Sequence, residues 1–360
     1  MELSRLQLQP HKLFHHLEEV IKWEKGEYFA PIFIEFSPID RCNQKCWYCY
    51  VEYLQHQNLE IEGKLLIEIF RDMGRAGVKS VMIQGTGEPL LNKATPDAIV
   101  EGFNSGLSLA LCSNGVLLNS EMLKKILPCL EWLRISAVEY TPVLYAKSHG
   151  SPEAHWHKVI ENLKIAVRIR QQEKLKTILA VHFLIFPYNV EYIVKTVKMV
   201  KDIGIDYILI KSANQSIHNP SHHWERDTHK RFIPLLKEAK DLETDEFKVS
   251  VRFDQFEVQE ECGSFKKKFK KCYGLEFEAM IDADGGVYPC LHFWRDKDYC
   301  YGNLHEETFA EIWKGQRRRS VLNKIYNEFD LNNCHFGCKQ MHINETLWEL
   351  KNPPMHINFL

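Results

Sequence analysis

Short apolar runs, many of them β-branched, alternate with helix-like segments through the first two thirds of this chain. Such alternation is typical of βα units, and because crossovers between parallel strands are right-handed, it predicts a parallel sheet. Six units are too few to close an eight-stranded barrel, so we predict a partial, splayed (β/α)6 barrel with its chemistry at the carboxyl ends of the strands. The predicted strands are residues 32–36, 80–84, 107–112, 132–136, 178–186 and 207–211, and the predicted helices include residues 64–76, 121–130, 155–172 and 190–203.

The chain length of 360 residues favours about two domains. A further helix is predicted over residues 224–243, with a kink at Pro234. After Thr244 the strand–helix alternation gives way to a strand-like segment and the basic run 266–271, which is typical of a solvated linker. We therefore predict an N-terminal helical extension (1–30), the barrel (31–244) and a small α+β domain with a C-terminal tail (245–360).

Charge and hydropathy exclude several classes of protein. The net charge of −2 is spread along the chain, which argues against a nucleic-acid partner. No apolar stretch is long enough to cross a bilayer, and residues 1–9 lack the apolar core of a signal peptide, so we expect a cytoplasmic protein with no membrane partner. In a reducing compartment, 11 cysteines indicate metal ligation rather than disulfides.

Three cysteines follow the first predicted strand closely, namely Cys42, Cys46 and Cys49, in the spacing C-x3-C-x2-C. Three thiolates on one loop can hold three corners of a [4Fe-4S] cluster and leave the fourth iron without a protein ligand, open for chemistry. A zinc loop or a partial disulfide framework is the alternative, but zinc sites favour paired C-x2-C units and this loop has one such pair.

A second cysteine group lies downstream at Cys272, Cys290, Cys334 and Cys338. Residues 280–288 resemble strand, turn and strand, with Asp-Gly in the turn, and such a hairpin would bring the first two thiols together. Four thiolates would saturate a second centre, which is either an electron-carrying [4Fe-4S] cluster or a zinc site.

The remaining cysteines have weaker signals. Cys300 is an alternative fourth ligand of the second centre. Cys112 and Cys129 lie in apolar strand and helix contexts, where buried structural thiols are the usual case, and Cys262 has no readable role.

The first cysteine loop, with Tyr48 before its last cysteine, resembles the loop of the radical SAM superfamily. The turn Gly85-Thr86-Gly87-Glu88 after the second strand resembles the family's glycine-glycine-glutamate motif, which receives the amino group of S-adenosylmethionine (SAM). The resemblance implies a partial radical SAM barrel in which SAM is held by Tyr48, Gly85, Thr86, Gly87, Glu88, Ser113, Asn114 and Ser136, with Lys147 or His149 where family members often carry an Arg.

The C-terminal half resembles the SPASM or twitch extension found in part of this superfamily. Cys272-x12-Gly285-x4-Cys290 matches the opening of that extension, and residues 309–313 resemble the helix that follows. A full SPASM domain continues with a longer cysteine array, whereas only Cys334 and Cys338 follow here. The resemblance thus implies the shortened, twitch-like form with one auxiliary [4Fe-4S] cluster.

The resemblance also implies a reaction. In the family, SAM chelates the open iron, one electron arrives from an external donor such as flavodoxin or ferredoxin, and a 5′-deoxyadenosyl radical abstracts a substrate hydrogen. A saturated auxiliary cluster favours oxidation (dehydrogenation), because it can accept the electron of the product radical. Epimerisation is the alternative, and it would need a hydrogen donor, most simply Cys300.

The N-terminal extension is too short for the peptide-recognition module of many peptide-modifying relatives, which favours a small polar substrate such as a sugar, aminocyclitol or nucleotide sugar. A ribosomal peptide is the alternative. Other classes also remain, namely a non-catalytic iron–sulfur protein that carries electrons or senses redox state, and a zinc-binding interaction protein. Candidate substrate contacts at the ends of the later strands are Glu139, His182, Asn189, Lys211 and Asn214.

Overall fold

A single sheet of ten strands organises the computed structural model, which describes residues 10–212, 232–251, 267–334 and 338–358. The strand order is β10-β9-β8-β1-β2-β3-β4-β5-β6-β7. Strands β8 and β1 to β7 are parallel, whereas β9 and β10 are added antiparallel at one edge. The strands are β1 Phe33–Phe36, β2 Ser80–Ile83, β3 Ser108–Ser113, β4 Trp132–Ile135, β5 Ile178–Ile185, β6 Tyr207–Ser212, β7 Lys248–Val251, β8 Glu278–Ile281, β9 Gly286–Tyr288 and β10 Gly302–Asn303.

The alternation of strands and helices predicted from the sequence is confirmed, and the parallel sheet is longer than predicted. Strand β7 pairs with β6, and β8 pairs in parallel with β1 although it follows β1 by more than two hundred residues. The predicted hairpin is present as the antiparallel pair β8–β9. The division of the chain at residue 244 stays a prediction, because β7 lies beyond it and continues the sheet.

Eleven helices pack on or beside this sheet in the part of the chain that the structure describes. In α2, the Glu62 side chain caps the first turn by accepting hydrogen bonds from the backbone N–H groups of Lys64 and Leu65, and Gly77 ends the helix with a φ of 91°. The helices are α1 Leu17–Lys25, α2 Gly63–Ala76, α3 Thr95–Asn104, α4 Ser120–Ile126, α5 Pro142–His149, α6 Glu153–Gln172, α7 Ile193–Ile203, α8 Ile233–Lys240, α9 Phe309–Lys314, α10 Gln316–Glu328 and α11 Met341–Lys351.

The sequence did not reveal four helices, α3, α5, α10 and α11, and one further helix differs from its prediction. Helix α3 is short, and α5 lacks a clear apolar stripe, with buried residues that include polar Ser148 and His149. Helix α8 begins at Ile233 with Pro234 in its first turn, where the missing N–H costs nothing, so the predicted kink there is wrong. Residues 224–231 of that predicted helix lie outside the described ranges.

The strands of the barrel have two different faces. Ile34, Leu111, Leu133, Val181 and Ile208 belong to the main apolar core with the helices. Successive side chains of a strand point to opposite faces, so the residues between these core positions face the interior of the barrel. The interior positions include Glu35, Cys112, Arg134, His182 and Lys211. The interior face is therefore much more polar than the helix-facing one.

None of the helices in the described ranges is both long and apolar enough to span a membrane.

Candidate active site

A cavity of about 260 Å³ opens at the carboxyl ends of the parallel strands. The cysteine loop, the turn after β2, the ends of β3 and β4, helix α5 and the last residues of β5 and β6 all contribute to its wall. Most residues expected from the resemblance share this one cavity. Those that line it are Cys42, Cys46, Tyr48, Cys49, Gly85, Gly87, Glu88, Ser113, Asn114, Ser136 and His149, together with the candidate substrate contacts His182 and Lys211.

The cysteine loop presents three partly buried thiols. Burial raises the pKa of Cys42 to about 11 and also raises the pKa of Cys46 and Cys49, and the other two thiols add to the shift at Cys46. In the described ranges, no three His, Cys, Asp or Glu side chains converge as the ligands of one metal ion would. A [4Fe-4S] cluster instead places each thiolate on a different iron, and binding deprotonates the thiols. The three neighbouring thiols of this loop therefore suit a [4Fe-4S] cluster better than a single metal ion.

The turn after β2 packs directly on the cysteine loop. A Cβ on Gly87 would lie 2.2 Å from the carbonyl oxygen of Arg41, and a Cβ on Gly85, where φ is +151°, would lie 2.1 Å from Ser37 Oγ. Thr86 is buried and lies outside the cavity lining, with its hydroxyl 3.0 Å from Ser37 Oγ. The two glycines are thus needed to seat the turn against β1 and the loop, a packing role that the sequence did not reveal.

Glu88 joins the turn to the end of β3. Its Oε2 accepts a hydrogen bond from the Asn114 backbone N–H at 2.7 Å, and its Oε1 accepts from Ser113 Oγ at 2.8 Å and from the Leu90 N–H at 3.2 Å. Burial raises the pKa of Glu88 although these hydrogen bonds oppose the shift. A carboxylate has about four acceptor sites, so one remains for a ligand ammonium.

Asn114 extends this connection to the first cysteine. Its side-chain Nδ2 donates to Asn43 Oδ1 at 2.6 Å and lies 4.0 Å from Cys42 Sγ. The end of β3 is therefore fixed to the cysteine loop as well as to the turn.

His149 and Lys147 were alternatives for one position, and they occupy different environments. His149 is buried, lines the cavity and lies 2.9 Å from Tyr48 Oη through its Nε2, while its ring stacks on Tyr145. Burial lowers the pKa of His149 to about 4, so the imidazole is neutral. Lys147 is exposed, and its Nζ lies 4.2 Å from the centre of the Tyr188 ring. Of the two residues, only His149 lines the cavity.

The second cysteine group is also brought together. Burial raises the pKa of Cys272 and of Cys290, the latter to about 12, and the charge of Cys338 adds to both shifts. A hydrogen bond between Cys334 and Cys338 lowers the pKa of Cys334. Asn344 Nδ2 lies 3.1 Å from Cys272 Sγ. These four interacting thiols, which all lie in the described ranges, do not converge as the ligands of one metal ion would, so their arrangement suits an iron–sulfur cluster better than zinc.

Tyr50 lies between the two cysteine groups. It follows Cys49 in the chain and lines the cavity. Burial raises its pKa, with smaller contributions from Tyr53 and from three thiols of the second group, Cys290, Cys334 and Cys338. The second group therefore lies close to the cavity.

Cys300 packs in a different hydrophobic cluster from Cys272 and Cys290. Its Sγ lies 3.2 Å from the carbonyl oxygen of Gly302, and it packs on a small cluster of Met280, Tyr288 and Trp294. Cys300 is also not part of the cavity lining, so its assignment as fourth ligand or hydrogen donor stays an untested prediction.

Glu139 and Asn189 form a buried pair outside the cavity lining. Asn189 Nδ2 donates to both carboxylate oxygens of Glu139, at 3.0 and 3.2 Å, and burial raises the pKa of Glu139 to about 8. These hydrogen bonds connect the loop after β4 to the loop after β5. Asn214 and Cys262 lie outside the described ranges.

Cys112 was expected to be a buried structural thiol. The thiol is buried, but the residue also lines the cavity, and Arg134 Nη2 lies 3.0 Å from its Sγ. Its position on β3 is the signal that could have found it, because Leu109 and Leu111 pack in the core and Cys112 must then face the interior.

Family models match both parts of the chain. The model of the radical SAM superfamily matches residues 36–200, and the SPASM model, an iron–sulfur cluster-binding domain, matches residues 272–339. The two matches cover the two cysteine groups separately.

Two relatives are distant in sequence and match most of the chain. The cofactor-modifying protein of the tungsten-containing aldehyde ferredoxin oxidoreductase of Pyrococcus furiosus is 21% identical over 77% of this chain and 79% of that protein. The Fe-coproporphyrin III synthase of Methanosarcina barkeri is 24% identical over 76% of this chain and 71% of that protein.

Solved structures share the fold. Streptococcus suis SuiB bound to S-adenosylmethionine aligns with a TM-score of 0.65 at 14% identity, covering 88% of this chain and 72% of SuiB. SuiB bound to its precursor peptide SuiA aligns equally well, with a TM-score of 0.65 at 15% identity over 92% of this chain and 74% of that chain.

Proposed function

Because this chain belongs to the radical SAM superfamily and carries a SPASM iron–sulfur domain, we propose that it cleaves SAM reductively and abstracts a hydrogen atom from a substrate held in the cavity. Proteins of this class bind SAM, a [4Fe-4S] cluster and auxiliary clusters. When bound, the cluster and SAM supply the one-electron chemistry, and the protein supplies positioning and exclusion of water.

One observation carries the proposal. The three thiols of the cysteine loop, the turn that ends in Glu88, and the ends of β3 and β4 line one cavity, although they come from separate parts of the chain. Cys42, Cys46 and Cys49 would hold the cluster, leaving one iron open.

The polar residues of the wall each have a defined task in this proposal. Glu88 is fixed by Ser113 and Asn114 and would accept a hydrogen bond from the SAM ammonium. Ser136 offers a hydrogen bond rather than charge. The neutral His149 already uses both ring nitrogens, Nε2 with Tyr48 and Nδ1 with Ser148 and Tyr145, so it shapes the wall of the cavity. Tyr48, held by His149, positions the loop backbone beside the cavity.

For the overall reaction we favour oxidation. The four thiols of the second group, Cys272, Cys290, Cys334 and Cys338, would saturate a cluster close to the cavity, and Tyr50 lies between it and the cysteine loop. A saturated cluster next to the substrate is suited to accept the electron of the product radical. Epimerisation is the second candidate, and the thiol of Cys112 in the cavity wall favours it, because a thiol there could return a hydrogen atom.

For the substrate we favour a small polar molecule, such as a sugar, aminocyclitol or nucleotide sugar. Two relatives named for a cofactor-modifying role and for Fe-coproporphyrin III synthesis support small-molecule or cofactor chemistry. A ribosomal peptide is the alternative, which the likeness to SuiB bound to its precursor peptide supports. The external electron donor is proposed to be flavodoxin or ferredoxin.

The test is anaerobic reconstitution with iron and sulfide, followed by reduction with dithionite in the presence of SAM. We expect 5′-deoxyadenosine and methionine as products. A cluster-containing protein that forms no 5′-deoxyadenosine would overturn the enzyme proposal and favour a redox sensor or electron carrier. A colourless preparation that holds zinc would favour an interaction protein.

A further inference from the structure

A buried amide donates a hydrogen bond to one thiol of the second cysteine group. Asn344 Nδ2 lies 3.1 Å from Cys272 Sγ, and Asn344 is only 1% exposed. The orientation of this amide is fixed, because its Oδ1 accepts a hydrogen bond from the Gly274 backbone N–H at 2.7 Å. The amide oxygen therefore faces the backbone, and the NH2 group faces the sulfur.

The amide reaches the sulfur because two segments approach each other closely. Asn344 lies in the first turn of α11, and Gly274 belongs to the turn that follows Cys272. A Cβ on Gly274 would lie 2.3 Å from Gln340 Oε1, so a larger residue there would push the two segments apart. Helix α11 also begins beside another thiol of the group, since the N–H of its first residue donates to the Cys338 carbonyl oxygen at 3.1 Å. One helix thus contacts two of the four cysteines.

The N-terminal extension supports both sides of this contact. Leu347 of α11 is fully buried in an apolar cluster with Val20 and Trp23 of α1. Tyr273, the residue after the hydrogen-bonded cysteine, packs against the same cluster, with its ring centre 5.2 Å from that of Trp23. The helix that carries the donor and the turn that carries the acceptor are therefore packed on one apolar cluster.

A hydrogen bond to sulfur is strongest when the sulfur carries negative charge. Burial raises the pKa of Cys272, and the hydrogen bond from Asn344 opposes this shift because it stabilises the thiolate. Reduction of an iron–sulfur cluster adds one negative charge, and hydrogen bonds to the sulfurs are among the factors that set its reduction potential. A donor at this sulfur therefore favours the reduced state of a bound cluster.

Two other thiols of the group accept hydrogen bonds from the backbone. The donors are the N–H of His292 for Cys290 and the N–H of Gln340 for Cys338. Of these three donors to the group, Asn344 is the one that belongs to a side chain. A single substitution can therefore remove it and leave the backbone donors in place.

We propose that Asn344, acting through Cys272, is a positioning residue that raises the reduction potential of the auxiliary cluster and thereby favours it as an electron acceptor. Asn344 lies beyond residues 272–339, which match the SPASM model, so the donor comes from the helix that follows the matched region. This inference rests on the proposed function, in which the auxiliary cluster accepts the electron of the product radical.

The test measures the reduction potential of the auxiliary cluster by itself. The parent protein is the full chain with Cys42, Cys46 and Cys49 replaced by Ala, reconstituted so that only the second group holds a cluster, and titrated with dithionite in the presence of redox mediators. Asn344→Leu removes the donor at similar size. Asn344→Asp keeps an oxygen for the Gly274 N–H and places a carboxylate oxygen where the donor was. The same two substitutions at Asn323, exposed on α10, are the matched controls.

We expect both Asn344 variants to keep about four irons per chain and to be harder to reduce than the parent. The equilibrium constant for reduction should fall about tenfold, which is a midpoint potential lower by about 59 mV for one electron, whereas the Asn323 variants should match the parent. An equal or higher potential in an Asn344 variant that keeps its irons overturns the inference.

The remaining outcomes are also decisive. Loss of iron from both Asn344 variants, with the Asn323 variants intact, would show that the amide holds the group together rather than tuning its potential, and it overturns the inference. A parent protein without any cluster overturns it as well. SAM cleavage is measured separately in the chain with all its cysteines. A lower potential in the Asn344 variants, together with no 5′-deoxyadenosine from that chain, overturns the proposed function alone.

Discussion

Arg295 Nη2 lies 3.2 Å from Asp40 Oδ2, which ties the residue two positions before Cys42 to the C-terminal part of the chain. The Nε of the same arginine forms an ion pair with Asp282, at the end of the β8 hairpin strand. Asp282 also accepts a hydrogen bond from Thr86 Oγ1 at 3.1 Å. One guanidinium thus connects the cysteine loop, the turn after β2 and the SPASM region.

Replacing this arginine should destabilise the whole site. Both carboxylate side chains are 0% exposed, so Arg295→Met leaves two buried charges uncompensated. Breaking a buried pair in this way costs about 3–5 kcal/mol. We expect a clearly lower urea midpoint for the reconstituted variant and a faster loss of cluster absorption. Arg319→Met, at an exposed position, is the control and should stay within about 0.5 kcal/mol of the wild type. A similarly small effect for Arg295→Met would show that the ion pair does not hold the site together.

Glu88→Gln should weaken both the fold and SAM binding. The carboxylate accepts three hydrogen bonds from two directions, and an amide nitrogen in place of either oxygen leaves at least one buried N–H without an acceptor. Such a loss costs about 1–3 kcal/mol. We expect a lower urea midpoint together with at least tenfold weaker SAM binding by equilibrium dialysis, with the exposed Glu131→Gln as control. Unchanged SAM affinity in a folded Glu88→Gln protein would exclude Glu88 as the ammonium acceptor.

Local patterns in the sequence were sufficient for the six βα units, the cysteine loop and the β8–β9 hairpin, because each depends on neighbours within a few residues. The pairing of β8 with β1 depends on contacts between distant segments, and no pattern in either strand specifies it. No sequence pattern pointed to the role of Arg295 either, because folding alone brings its two carboxylate partners together. Cys112 shows the opposite case, in which strand alternation was available and would have placed the thiol inside.

Glu139 makes stability depend on pH. Its pKa is about 8 in the folded chain and about 4.3 in an unfolded one, so the folded state binds an extra proton between these values. Stability therefore falls as pH rises from about 4.5 to about 8, by at most about 1.4 kcal/mol per pH unit. Glu139→Gln lacks this proton and should gain stability over the wild type as pH rises. Paired urea titrations at pH 5, 6, 7 and 8 measure the difference, and the exposed Glu161→Gln is the control. Parallel curves for the wild type and Glu139→Gln would show that Glu139 stays ionised in the folded chain.

The two cysteine groups should be separable by iron content. If each holds one [4Fe-4S] cluster, the reconstituted wild type contains about eight irons per chain, and replacing Cys42, Cys46 and Cys49 by Ala leaves about four and no SAM cleavage. Replacing Cys272, Cys290, Cys334 and Cys338 by Ala should also leave about four irons, but with 5′-deoxyadenosine still formed and substrate oxidation lost, because in the proposed reaction the second cluster accepts the electron of the product radical. Cys129→Ala is the control, since this thiol belongs to neither group and its Sγ lies 3.9 Å from the Lys125 carbonyl oxygen.

About four irons in the wild type, all lost with the first group, would remove the auxiliary cluster and with it the favoured oxidation. SAM cleavage that survives loss of the first group would contradict the central assignment.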